Sequence, residues 1–197
     1  MSHITKIKIQ VKSLEALKSA AARCGLVFRE HQKTHKWYGQ FVGDYASDVA
    51  IEQMGRCDHA LGIPCNYQAY EVGVCMQADG SYTLQWDFWQ GGYGLQDCIG
   101  KDGAKLIAEY GLEAALEAAQ AQGWYCERSA DAVVIHHPDG GVIIVNAAGE
   151  VDASQFTGAS CVAACAPIEG ALGSQSERSL KNEFYQKKQL LTLNGGE

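Results

Sequence analysis

The chain has 197 residues, enough for one domain or two small ones with real cores. Hydrophobic residues make up 47% and charged residues 20%, which excludes a disordered chain. The formal net charge is -7 and the basic residues are scattered apart from short pairs such as Lys187-Lys188, so no basic stripe is available to neutralise phosphates and nucleic acid is not an expected partner.

The opening Met1-Ser2-His3-Ile4-Thr5-Lys6 lacks the apolar core of a signal peptide. No stretch approaches the roughly 18 apolar residues of a membrane span. The expectation is a cytoplasmic protein without a membrane partner, whose eight cysteines (24, 57, 65, 75, 98, 126, 161 and 165) are reduced and serve as buried small residues or as ligands.

Ile7, Ile9 and Val11 alternate with Lys6, Lys8 and Gln10, the period of a half-buried strand. Ser13 offers an N-cap, and Leu14, Leu17, Ala21 and Cys24 share a helical face that Gly25 ends. A strand near Leu26 to Arg29 completes a β-α-β opening. Residues 31 to 70 read as a loop-rich insertion broken by Gly39, Gly43, Gly55, Gly62 and Pro64, with brief strand-like runs at Phe41-Val42 and near Val49 and Ile51.

Tyr70 to Met76 and Ser81 to Trp89 read as a hairpin turned by Ala78-Asp79-Gly80, followed by a glycine-rich loop from Gln90 to Gly94. Leu106, Ile107 and Tyr110, then Leu112, Ala115, Leu116 and Ala119, form helical faces that Gly111 divides into one helix or two. Strands follow at 124–128, 132–136, 142–146 and near Val151, with Pro138-Asp139-Gly140-Gly141 as a turn. A last helix carries Cys161, Cys165, Ile168 and Leu172 on one face, with Pro167 kinking or ending its first part, before a polar tail holding Phe184 and Tyr185.

The fold class these elements give is α+β: an antiparallel sheet with helices packed on one face, of which an elaborated ferredoxin-like core is one form, followed by a small β-β-α unit able to extend that sheet. The domains are expected at 1–128, with the insertion at about 31–70, and at 129–197.

Several groups of residues are candidates for chemistry. Cys57, His59, Cys65 and Cys75 are of the types that hold zinc or iron and would staple a core-poor insertion; the competing reading is buried thiols and a hydrogen-bonding histidine, because the spacing matches no paired C-x2-C knuckle. Cys161 and Cys165, at i and i+4, read as packing. The string Trp86-Asp87-Phe88-Trp89 followed by Tyr93 either fills the core or presents Trp86, Asp87, Trp89 and Tyr93 to a ligand or a protein partner. His31, His35, Asp44, Asp48, Asp58 and His59 could supply acid-base chemistry but fit no known catalytic order, and His136-His137 read as strand-end surface residues. No catalytic residue is assigned.

The opening Met1-Ser2-His3 with Ile7, the helix Leu14-Glu15-Ala16-Leu17, the string Trp86-Asp87-Phe88-Trp89, and Lys105 to Tyr110 resemble the plastid and bacterial family often called Ycf-thirty-five, of unknown function and also seen in phage genomes. Gly149 to Val151, Phe156-Thr157-Gly158-Ala159-Ser160-Cys161, Leu172-Gly173 and Asn182-Glu183-Phe184-Tyr185 resemble a second short uncharacterised family usually encoded beside the first. The resemblance implies a fusion of two products that work together, commonly beside an AAA-type ATPase, and brings no catalytic residue. It points to a non-enzymatic accessory or adaptor protein acting through protein partners. A metal-binding module and a phage-type small-molecule-binding or hydrolytic protein are the alternatives.

Overall fold

The structure, a computed structural model, describes residues 4–37, 55–154, 156 and 159–173. The strand-like runs expected between Phe41 and Ile51, the carboxylates of Asp44 and Asp48, and the tail with Phe184 and Tyr185 lie outside the described residues.

The period-2 opening forms β1 (Ile4–Val11). Ser13 then caps α1 (Leu14–Arg23), its Oγ accepting the Ala16 N–H at 3.1 Å. Four further strands follow: β2 (Val27–Arg29), β3 (His59–Gly62), β4 (Val72–Met76) and β5 (Tyr82–Asp87). The β4–β5 turn works through Asp79, whose Oδ1 accepts both the N–H and the hydroxyl of Ser81, at 3.0 and 2.6 Å.

The strand order is β1-β5-β4-β3-β2, with every neighbouring pair antiparallel. The α+β class is thus present. The two strands joined through α1 lie at opposite edges with three strands between them, so the interleaved ferredoxin-like form is not made. The reason lies in the pairing: β2 to β5 pair in chain order, and the last of them closes on β1.

Side-chain alternation gives this sheet two unlike faces. One carries Phe28, Leu61, Val72, Val74, Leu84 and Trp86, through the pairs Phe28–Leu61, Leu61–Val72 and Val74–Leu84. Helices cover it. Lys18 of α1 stands 5.4 Å from the centre of the Phe28 ring. Gly103, between α2 (Leu95–Ile99) and α3 (Ala104–Ala121), lies so close to Trp86 that a Cβ would sit 2.5 Å from ring atom Cη2. The opposite face carries Arg29, Ala60, Gly73 and Gln85 as one registered row, with Gly62, Cys75 and Asp87 on either side. Small residues there leave room for a second layer.

α3 runs unbroken through Gly111, burying Leu106 and Tyr110 before it and Leu112, Ala115 and Ala119 after it. That burial outweighs the roughly 1 kcal/mol a mid-helix glycine costs. The Tyr110 hydroxyl accepts the N–H groups of Lys12 and Ser13 at 2.7 and 3.3 Å.

The chain divides into two compact units, Met1–Glu113 and Ala114–Glu197. The expected junction after residue 128 would cut a hairpin in which Arg128 pairs with Val133, so the division falls earlier, within α3. In the second unit β6 (Tyr125–Arg128), β7 (Ala132–His136), β8 (Val142–Asn146) and β9 (Val151–Asp152) form an antiparallel sheet of their own, in chain order. The expected β-β-α unit therefore has four strands before its helix. Val133, Ile135, Ile143 and Val145 are buried on one face of that sheet. α4 (Ala159–Leu172) contains Pro167 within its length and buries Cys165 and Ile168, as the shared face predicts. Among the described residues no helix is long and apolar enough to cross a membrane.

Candidate functional site

The second layer on the small-residue face is built by residues 31–37 and 55–58. Glu71, 2% exposed and just ahead of β4, fixes it. Its Oε1 pairs with the Arg29 guanidinium, while Oε2 accepts the Gln32 side-chain amide at 2.7 Å and the Lys36 N–H at 2.9 Å. The Glu71 N–H in turn donates to the Lys36 carbonyl, the His35 N–H to Gly55 O, and the Cys57 N–H to Lys33 O. A carboxylate carrying several charge-assisted or backbone donors is a stable way to bury charge.

His35, 5% exposed, lies flat on Gly73: a Cβ there would stand 2.7 Å from its Cε1 and 2.9 Å from its Cγ. Burial pushes the imidazole down to about 4, partly opposed by a hydrogen bond with the Gly55 backbone, so it is neutral at physiological pH. Its Nδ1 has no hydrogen-bond partner, and neither has Oδ2 of Asp87, which is 1% exposed; these are buried polar atoms of the kind that gather at functional sites. Sequence reasoning set His35 among several insertion histidines and missed Glu71 and Arg29 entirely.

Beside this layer opens a groove of about 560 Å³ lined by Lys33, Thr34, Arg56, Cys57, Asp58 and Cys75. It brings Cys57 and Cys75 together but not in the chemistry expected of metal ligands. The Cys57 thiol donates to Gln32 O at 3.1 Å and the Cys75 thiol to Arg56 O at 3.2 Å. Burial, followed by the nearby Cys75, Glu71 and Asp58, pushes the Cys57 thiol up to about 12. His59 turns to the helix-covered face, where its Nδ1 accepts the His31 N–H at 3.2 Å and its ring lies near those of Phe28, His31 and Tyr82. Cys65 sits on an exposed turn with left-handed backbone, φ 60°. Among the described residues no three His, Cys, Asp or Glu side chains are grouped as they would be around a metal ion.

The aromatic string also divides. Trp86 is fully buried in the core and Asp87 is buried with the polar layer, so neither is on an accessible surface, whereas Trp89 and Tyr93 are half-exposed. The chain leaves β5 at Asp87, whose Oδ1 accepts the Trp89 N–H at 2.8 Å. Gln90, Gly91, Gly92 and Tyr93 then all take left-handed backbone, with φ between 52° and 67°. A left-handed turn of consecutive residues is rare because each non-glycine member costs about 1–2 kcal/mol. Gly92 is needed at its position, since a Cβ would lie 2.9 Å from that of Leu95 and 3.1 Å from Asp87 O. The turn is braced from outside: the Tyr70 N–H donates to Gly92 O at 3.0 Å, and the Asn66 amide to Tyr93 O at 3.3 Å. The Tyr93 ring meets those of Tyr70 and Trp89 edge-on, with centroids 5.3 and 6.1 Å away. Next to Asn66, Tyr67 is 81% exposed.

Comparison with known proteins gives no family model, no curated protein and no solved structure that matches the chain.

Proposed function

We propose that the protein is a non-enzymatic accessory or adaptor protein and that its partner docks on the left-handed turn. The observation that supports this reading is the strained run from Gln90 to Tyr93, braced by Asp87, Tyr70 and Asn66 and presenting Trp89 and Tyr93 beside the exposed Tyr67. Strain held in place by surrounding bonds clusters at sites of recognition. Tryptophan and tyrosine supply most interface hot spots, and a pre-shaped turn loses little entropy when it binds. An AAA-type ATPase, the partner class implied by the resemblance, is the first candidate.

The test is affinity capture from the native host with the wild type and with a Trp89→Ser/Tyr93→Ser variant of equal melting temperature. One protein retained by the wild type and lost from the variant, and binding again when purified, is the expected result. An identical set of captured proteins overturns the reading.

A small-molecule-binding role is the second reading, favoured by the groove, where Lys33 and Arg56 flank Asp58 and Thr34. A thermal-shift screen against anionic metabolites tests it, since a bound ligand must raise the melting temperature; no shift at millimolar ligand removes it.

A further inference from the structure

Two thiols share one wall of the groove. Cys75 pairs with Thr83 in the register of β4 and β5, and its sulfur rests 3.2 Å from the carbonyl oxygen of Arg56, the residue bonded to Cys57. Standard peptide geometry puts that oxygen about 2.8 Å from the Cys57 Cα. The Cys75 sulfur is therefore within about 6 Å of the Cys57 Cα. The Asp58 N–H donates to Val74 O at 2.8 Å, so the chain through Cys57 runs on beside the end of β4 that carries Cys75. A disulfide needs Cα atoms roughly 4.4–6.8 Å apart. The Cys57 thiol donates to Gln32 O and the Cys75 thiol to Arg56 O, both weak bonds, and neither cysteine is in a disulfide.

We propose that Cys57 and Cys75 are an oxidisable pair, joined by hydrogen peroxide into a disulfide along the wall of the groove. Cys75 is half-buried and Cys57 buried, so oxidant entering the groove meets Cys75 first. Cys75 loses its proton to solvent, and its thiolate attacks the peroxide, breaking the O–O bond to give a sulfenic acid and hydroxide, which becomes water. The Cys57 sulfur then attacks the sulfenic sulfur: the S–S bond forms, the S–O bond breaks, and water leaves with the Cys57 proton. The two sulfurs give up two electrons and the peroxide becomes two waters. Burial disfavours the Cys57 thiolate and makes the second step the slow one. The new bond removes the anchors at Gln32 O and Arg56 O and ties residues 55–58 to β4, which reshapes the groove.

Peptide mapping of the wild-type full chain tests this without a variant. No Lys or Arg lies between Arg56 and Lys101, so chymotrypsin is used; cleavage after Leu61, Tyr67 and Tyr70 separates Cys57, Cys65 and Cys75. After hydrogen peroxide and alkylation, the expected product is a Cys57–Cys75 linked peptide, a 2 Da lighter chain, and full reversal by dithiothreitol. Cys65→Ser leaves the rate unchanged, and Cys75→Ser, which keeps a donor for Arg56 O, lowers formation at least tenfold. Recovery of Cys57 and Cys75 as separate alkylated or over-oxidised peptides, or a link through Cys65, overturns the proposal.

Discussion

Gly73→Ala tests the close approach at the centre of the polar layer. Gly73 is not among the residues with left-handed backbone, so alanine brings no dihedral strain, and what its methyl meets is the imidazole of His35 at 2.7 and 2.9 Å. Those distances require His35 to move off the sheet, dragging the chain that binds Gly55 and Glu71. Overpacking of this kind costs about 1–3 kcal/mol. Against it stands about 0.4–1 kcal/mol gained from a less flexible unfolded chain. In a His35→Ala background the obstacle is gone, and Gly73→Ala becomes neutral or slightly stabilising. The double-mutant cycle should therefore show a coupling of about 1–3 kcal/mol, read from urea unfolding followed by tryptophan fluorescence. Net of the unfolded-chain gain the single variant loses up to about 2.6 kcal/mol, so at roughly 3 °C per kcal/mol for a chain of this length it melts up to about 8 °C lower. If Gly73→Ala costs the same with and without the imidazole, His35 is not what the glycine makes room for.

The remaining predictions concern the same layer. The folded His35 titrates at about 4 because it is buried, below its ordinary 6.5, so between those values the unfolded chain binds the extra proton. Stability is then fully present above about pH 6.5 and falls by about 3 kcal/mol as pH drops towards 4; His59, lowered first by burial and then by His31, adds loss of the same sign, and a His35→Gln variant whose pH profile of urea midpoints is as steep as the wild type's would refute the assignment. Glu71→Gln leaves the Arg29 guanidinium without its carboxylate and should cost about 3–5 kcal/mol in urea unfolding, with faster proteolysis within residues 31–37.

Much of the architecture was legible because it rests on local signals. Ser13 does cap α1, Asp79 does organise the β4–β5 turn, and the strands expected at 132–136 and 142–146 do form. The strand order was not legible, because which strand closes on β1 is decided by pairing between residues far apart in the chain. The placement of Cys57, His59 and Cys75 was not legible for a related reason: ligand types at plausible spacing say nothing of where sulfur and nitrogen point, and here these three meet backbone groups. Two signals were present but weak. Gly62 and Gly73 interrupt adjacent strands, and glycine inside a strand marks close approach, here by Arg29 and His35. Gly91-Gly92 announced positive φ, but nothing announced that Gln90 and Tyr93 would share it.

The two faces of the first sheet divide the tasks of the fold. The helix-covered face buries Trp86, Leu61, Val72 and Val74 and supplies the apolar area on which stability rests. The other face bears glycine and alanine where a larger side chain would pack more area, and over them lie Arg29, Glu71 and His35. That exchange lowers stability: each buried polar atom without a partner costs about 1–3 kcal/mol, and both His35 Nδ1 and Asp87 Oδ2 are such atoms. Asp87 belongs to both features of the site, since its other oxygen holds the Trp89 N–H where the left-handed turn begins. A change in the polar layer that shifts Asp87 must therefore reach the turn through that hydrogen bond, which makes the proposed docking surface sensitive to the layer behind it.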